Sequence, residues 1–336
     1  MTVLVRVLPG GRFGAALYWL ALTGLAPALP APALADKYPS RPITMIVPFP
    51  PGGPSDAIAR LLSDRLPALL GAPVIVENRS GGTGETESLK AAAAAPADGY
   101  TLLFGTPRPL AIAPAVHFNL GFDPLKAFAP VAMVATSPQV LTVTPSLPAK
   151  SVHDLVVYAK AKPGKVSYAS PGYGTQPHLL GALLRSTAGI DLVHVPYRGS
   201  APAIADLLAG RVQIYFGGPG VIAPHIASGA LRALAVASES RSRILPDVPT
   251  MIESGFGRFI ASYWTGIVAP AGTSPEIVGR LNGAINEVLR NGEVQAQLGK
   301  SGFEPKTGTP QDAATFIAAE AAKWAVIARA AGVRTP

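Results

Sequence analysis

The sequence predicts an α/β protein with two lobes, a hinge and an interlobe cleft, and three observations carry that prediction. From Asp36 onward, short β-branched runs alternate with helical stretches, the pattern of βαβ units and parallel sheets. The alternation breaks at a loop rich in Phe and Pro, residues 118–130, and then restarts. The last part of the chain is mostly helical and follows an apolar run, Tyr263 to Ala269, that suits a return to the first lobe.

The elements follow in order. Ile43 to Val47 is a β-branched run and gives the first strand, and Ser55 to Leu70 carries apolar residues at helical spacing. Val74-Ile75-Val76 gives a second strand. Glu85 to Ala95 is a helix that stops at Pro96 and the Asp98-Gly99 turn, before a third strand from Tyr100 to Phe104. Val131 to Ala135 and Val140 to Val143 are strands that carry the chain into the second lobe. Ser151-Val152-His153-Asp154 reads as a capping box that opens a helix to Lys160. Strand and helix then alternate through Val166 to Ala169, His178 to Ala188, Leu192 to Val195, Ala201 to Leu208, Val212 to Phe216, Ile222 to Ser228 and Arg232 to Val236. Thr273-Ser274-Pro275-Glu276 places an N-cap before a proline at the first helical position, and Thr309-Pro310-Gln311-Asp312 does the same before a helix to Ala331. With a crossing back near residues 237 to 262, the first lobe is 36–138 with 258–336, and the second is 139–257.

Composition narrows the function classes. The chain has 336 residues, 49% hydrophobic and 14% charged, enough apolar material for one large or two ordinary domains and incompatible with wholesale disorder. Gly and Pro number 35 each, show no three-residue period and stand between apolar runs, so they are turn chemistry. The absence of cysteine excludes a disulfide framework, a thiolate metal site and a cysteine nucleophile. The five histidines, His117, His153, His178, His194 and His225, fall in no tight ligand spacing, so no metal and no cofactor is expected.

Residues 1–35 have the pattern of a cleaved secretory signal. Arg6 and Arg12 precede an apolar stretch from Phe13 to Leu25, and Ala33-Leu34-Ala35 stands just before Asp36. The apolar core is about 13 residues, short of the ~20 that span a bilayer, and Pro27, Pro30 and Pro32 follow it. The expectation is a mature protein in the periplasm of a Gram-negative cell. Removing Arg6 and Arg12 leaves 26 basic residues against 20 acidic, a balance of +6. These charges stand singly, without the Lys/Arg stripe or interleaved aromatics of a nucleic-acid face.

Two segments have the form of ligand loops. Pro48-Phe49-Pro50-Pro51-Gly52-Gly53-Pro54-Ser55-Asp56 joins the C-terminal end of the first strand to a helix start, where unpaired N–H groups and the positive end of the helix dipole collect. Open α/β sheets place ligands at this end of their strands. Ser170-Pro171-Gly172-Tyr173-Gly174-Thr175-Gln176-Pro177-His178 is a second loop of the same kind in the other lobe. Facing each other, the two would clamp a small anion. The plainer reading is that both are ordinary βα turns, since glycine and proline occur in turns for steric reasons.

As a set, several segments resemble the Bug receptors, the extracytoplasmic substrate-binding proteins of tripartite tricarboxylate transporters. They are Ile43 to Asp56, Val76-Glu77-Asn78-Arg79, Asp98-Gly99-Tyr100-Thr101-Leu102-Leu103, Tyr168 to His178, Val195-Pro196-Tyr197-Arg198-Gly199 and Arg232-Ala233-Leu234-Ala235-Val236. The resemblance spans residues 38–330. It implies a type II periplasmic-binding-protein fold, capture of small carboxylates, and a large and a small membrane subunit as partners of a monomeric receptor. Carried over by motif, ligand contacts come from Phe49, Gly52, Gly53, Ser55 and Asp56, and from Ser170, Gly172, Tyr173, Gly174, Thr175 and His178. Gly105, Thr106, Tyr197, Arg198 and Gly199 stand on the rim.

The sequence also departs from the family. Pro107-Arg108 replaces a small-residue turn and brings a guanidinium, Arg108, toward the cleft. Gly217 stands where many members have Asp, and Glu85 and Glu87 where Asn and Gly are frequent. An amino-acid-like zwitterion, a dicarboxylate and an aromatic acid all stay open as ligands. Single residues keep two readings. Asp56 is a helix-start charge or a ligand contact, and His178 a hydrogen-bonding group at a helix start or a base. Tyr173 stacks on the ligand or covers the rim, Phe49 lines the pocket or packs, and Arg198 is a cleft cation or a surface one. A hydrolase is disfavoured, because there is no G-x-S-x-G elbow, no P-loop and no full G-x-G-x-x-G; Gly172-Tyr173-Gly174 runs into Pro177. A sensor for a membrane kinase would share the receptor's features.

Overall fold

The computed structural model describes residues 38–80, 84–116, 121–257 and 259–333. The predicted signal segment, the Gly81-Gly82-Thr83 turn and the side chain of Glu85 lie outside the described residues. Residues 38 onward form one compact unit built on two sheets.

The first βαβαβ stretch follows the sequence closely. Strand β1 (Ile43–Val47) leads to helix α1 (Pro54–Leu70), then β2 (Val74–Asn78), α2 (Gly84–Ala93) and β3 (Thr101–Gly105). β1 is parallel to both β2 and β3 and is buried on both faces, with Ile43, Met45 and Val47 on one and Ile46 on the other. A π-helical turn (Arg108–Ile112) continues into α3 (Ala113–Val116), followed by α4 (Pro124–Ala127) and the long strand β4 (Phe128–Pro138). β4 outruns the predicted Val131 to Ala135 because its antiparallel partner pairs with it along its whole length.

The second sheet begins with β5 (Val140–Val143). It continues through α5 (Val152–Ala161), β6 (Val166–Ser170), α6 (Gln176–Ala188), β7 (Leu192–Pro196), α7 (Ser200–Leu208), β8 (Ile214–Gly217), α8 (Pro219–Ala227) and β9 (Arg232–Val236). Helices α6 and α8 start earlier than predicted, because Pro177 and Pro219 fit the first helical turn, where a missing N–H costs nothing. At α5 the Ser151 side chain accepts the Asp154 N–H, but Asp154 returns its bond to Lys150 N, so the predicted capping box is only half formed. The chain returns as β10 (Ser262–Pro270), then α9 (Pro275–Arg290), α10 (Gly292–Lys300), the short β11 (Glu304–Pro305) and α11 (Pro310–Ala330). Here the box is complete: Thr309 and Asp312 bond each other reciprocally at the start of α11.

The first sheet has the order β11-β4-β10-β3-β1-β2 and the second β7-β6-β8-β5-β9. One residue, Gln139, separates β4 in the first sheet from β5 in the second. Its N–H donates to Ala261 O at 3.0 Å, its carbonyl accepts from Ala237 N at 2.7 Å, and Ala261 N donates to Ala237 O at 2.8 Å. Three strand ends are thereby closed into a ring of backbone hydrogen bonds where the chain passes between the sheets. Beside it, β10 buries Trp264, whose indole N–H and that of Trp324 on α11 both donate to Glu320. That anchors the last helix to the returning strand.

Candidate functional site

The first loop leaves β1 at the C-terminal end of the parallel strands and enters α1 through Gly53 as N-cap, with Pro54 at the first helical position. Pro54 has no N–H, and the N–H groups of Ser55 and Asp56 have no acceptor among the described residues. Asp56 is only 3% exposed and its carboxylate is fully engaged. Oδ2 accepts Gly52 N at 2.9 Å and Arg60 Nε at 2.9 Å, while Oδ1 accepts Asn78 Nδ2 at 2.9 Å. Asn78 also donates to Phe49 O. Burial pushes the Asp56 carboxyl up, but the bonds from Arg60, Gly52 and Asn78 outweigh it and hold the group below the usual carboxylate range. Asp56 therefore folds the Phe49–Gly53 loop over its own helix. Gly52 takes φ +86°, a left-handed conformation that a side chain would strain.

The second loop is built around an aromatic stack. His178 and His194 lie nearly parallel with centroids 3.9 Å apart, Tyr168 stacks on His194 at 4.9 Å, and Tyr173 stands edge-on to both imidazoles. His178 Nδ1 accepts the Gly174 N–H at 3.1 Å, which places the His178 proton on Nε2. Ser170, wholly buried, has its Oγ 2.7 Å from His194 Nε2 and accepts the Gly172 N–H at 3.2 Å. Thr175 N-caps α6 in position only; its hydroxyl donates to Gly172 O at 2.7 Å. Burial lowers His178 to about 4, helped by the charge of Arg185, and lowers His194 to about 3, helped by His178. Both rings are neutral at pH 7. At the start of α6 the N–H groups of Gln176 and His178 have no acceptor among the described residues.

The two loops meet the start of β10. Ser55 Oγ lies 3.2 Å from Tyr263 Oη, and Gln176 Nε2 donates to Ser262 O at 3.0 Å. Strand β10 pairs with β3 through Gly266 and Gly105, so Thr265 and Thr106 stand one residue beyond that pair. Among the described residues, three buried side-chain polar atoms have no hydrogen-bond partner: Thr106 Oγ1 and Thr265 Oγ1 beside this pair, and Gln176 Oε1 on the residue that bonds Ser262. A buried polar atom left unpaired costs about 1–3 kcal/mol, which a polar partner would recover.

The other predicted residues divide. Gly105 gives room to Leu110 of the π-helical turn, since a Cβ there would clash with its Cδ1. Arg108 is half-buried at the start of that turn. Tyr197 turns its hydroxyl to Asp206 at 2.7 Å, while Gly199 N-caps α7 and bonds Pro171 O, tying the two second-sheet loops together. Arg198 and Tyr173 are exposed, and Phe49 is half-buried against the core behind the first sheet. A Cβ on Gly217 would meet the Tyr215 ring at 2.7 Å, so Tyr215 occupies the space a side chain there would need. Sequence reasoning singled out neither Tyr263, Thr265 nor Gln176 as site residues. The available signal was polar residues, Ser262, Tyr263 and Thr265, at the start of an otherwise apolar strand.

Comparison with known proteins shows the family and the fold. Residues 58–333 match the family model described as the tripartite tricarboxylate transporter family receptor. Protein BugT of Bordetella pertussis is 41% identical over 317 residues, 94% of this chain and 96% of that one. Among solved structures, the R. palustris protein Rpa4515 with adipate superposes with a TM-score of 0.78 at 37% identity, covering 88% of this chain and 99% of that one. MatC from Rhodopseudomonas palustris with bound malate gives 0.75 at 30% identity, covering 86% and 99%.

Proposed function

This chain belongs to the tripartite tricarboxylate transporter receptor family, and we propose that it captures a small carboxylate-bearing solute in the periplasm and delivers it to a membrane transporter of that type. In this reading each sheet with its helices is a lobe, the ring at Gln139, Ala237 and Ala261 is the hinge, and the solute sits between the Phe49–Asp56 and Ser170–His178 loops. Gly105, Thr106, Arg108, Tyr197, Arg198 and Gly199 complete the rim. Residues 1–35 are the export signal, removed on secretion, and the receptor turns nothing over.

The observation that carries the reading is the convergence of two helix starts with open N–H groups, those of α1 and α6, on one strand bordered by unpaired buried polar atoms. A carboxylate is an acceptor that such N–H groups satisfy, aided by both helix dipoles. Each such bond contributes about 1.5–3 kcal/mol, so roughly four or five reach about −8 kcal/mol, micromolar affinity, after the costs of association. Adipate and malate, bound by Rpa4515 and MatC, are both carboxylates. Closure needs only that the shut form bind the solute better than the open one.

A melting screen against mono- and dicarboxylates, amino acids and aromatic acids tests the reading. A ligand present at 100 times its Kd adds about 2.7 kcal/mol and raises Tm without product formation. Turnover of any bound compound would favour the hydrolase instead, and a panel with no shift would end the receptor reading.

A further inference from the structure

We propose that Gln176 selects solutes that carry a hydrogen-bond donor on the carbon next to the carboxylate, a 2-hydroxy or 2-amino acid rather than an unsubstituted one. The inference rests on the receptor reading and deepens it. Ser262 O is a carbonyl and can only accept, so the bond of 3.0 Å fixes which end of the Gln176 amide is nitrogen. Oε1 is thereby turned away from Ser262. The side chain is 5% exposed, and Oε1 finds no donor among the described residues.

The two other unpaired atoms, on Thr106 and Thr265, are hydroxyls that either donate or accept and so express no preference. Gln176 Oε1 only accepts. A carboxylate at neutral pH offers nothing but lone pairs, and facing Oε1 it would leave two acceptors in opposition. The complementary group is an O–H or N–H. Gln176 also carries one of the open N–H groups at the start of α6, which suits the carboxylate itself. A donor and a carboxylate bound by the side chain and the backbone of one residue must be close together in the solute, and adjacent carbons meet that demand. A site built to hydrogen-bond a substrate group rejects the analogue lacking it, because its own polar atom is then left unpaired.

Calorimetric titration of the purified protein with matched acids tests this. The sets are succinate, malate and aspartate; adipate, 2-hydroxyadipate and 2-aminoadipate; and 3-phenylpropionate, 3-phenyllactate and phenylalanine. In whichever set binds, a substituted acid is expected to bind at least tenfold tighter than its unsubstituted parent. Gln176→Met, similar in size and without an acceptor oxygen, should shrink that ratio to about threefold or less. Equal affinities within the wild-type set would overturn the proposal and assign Oε1 to a trapped water, and this arm requires no variant. A tenfold ratio that persists in a folded Gln176→Met would overturn it too. If no acid of any set binds, the receptor reading itself fails and takes the proposal with it.

Discussion

The imidazoles of His178 and His194 lie face to face at 3.9 Å, and each is tied into the Ser170–His178 loop, His178 through Gly174 N and His194 through Ser170 Oγ. The loop's conformation therefore depends on both rings being neutral, since protonation would remove the acceptor at His178 Nδ1 and set two cations against each other.

A pH dependence of stability follows. Both folded pKa values lie below the ordinary 6.5, at about 4 and about 3, so the unfolded chain takes up protons before the folded one does. Stability is fully present above about pH 6.5 and is lost progressively as the pH falls through about 4 to about 3. Between pH 7 and pH 5 the expected loss is about 2 kcal/mol after allowance for partial solvation. Denaturant melts across that range measure it. His178→Gln, whose carbonyl can still accept Gly174 N–H, should flatten the slope, and an unchanged slope would remove the stack as its source.

Asp56 makes a different prediction from its exposed partner. Asp56→Ala leaves Gly52 N and Asn78 without their shared acceptor and should cost about 1–3 kcal/mol, with solute affinity falling tenfold or more as the first loop loosens. Arg60→Ala removes one bond from the carboxylate but leaves Gly52 N and Asn78 in place on it, so it should destabilise the protein less than Asp56→Ala does. Equal losses in the two variants would contradict the loop-folding role.

Gly217→Asp tests whether the family's acidic residue can be restored. The new Cβ meets Tyr215 at 2.7 Å and Ile222 at 3.2 Å, so the variant should lose about 1–3 kcal/mol by overpacking. In a double-mutant cycle, Gly217→Asp should cost less in a Tyr215→Ala background than in the wild-type protein. Wild-type stability of the single variant, read by urea unfolding, would show that the ring moves aside freely.

The two arginines proposed for the rim, Arg108 and Arg198, are expected to separate by salt dependence. Arg198 is exposed, so Arg198→Ala should slow association of an anionic solute mainly at low ionic strength and change affinity less than threefold at 0.15 M salt. Arg108→Ala should weaken carboxylate affinity about tenfold, the loss of one charge-assisted hydrogen bond, at every salt concentration. Stopped-flow and equilibrium titrations distinguish the two patterns, and an unaltered affinity in Arg108→Ala would retire its ligand role.

The sequence by itself determined the alternation of strands and helices, the helix starts at Ser274 and Thr309, and the two strand-to-helix loops. Each of these depends on residues close in the chain: β-branched runs, a capping hydroxyl followed by proline, glycines where the backbone turns left-handed. Boundaries slipped where a partner strand decided the length, as in β4. The tertiary structure alone decided what the loops meet. Tyr263 lies 208 residues from Ser55, and Ser262 lies 86 from Gln176, so no local pattern places them together. The ring joining Gln139, Ala237 and Ala261 is made of backbone bonds and is blind to side-chain identity. The unpaired atoms of Thr106, Gln176 and Thr265 are visible only once burial is known, because an exposed hydroxyl or amide satisfies itself with water and a buried one cannot.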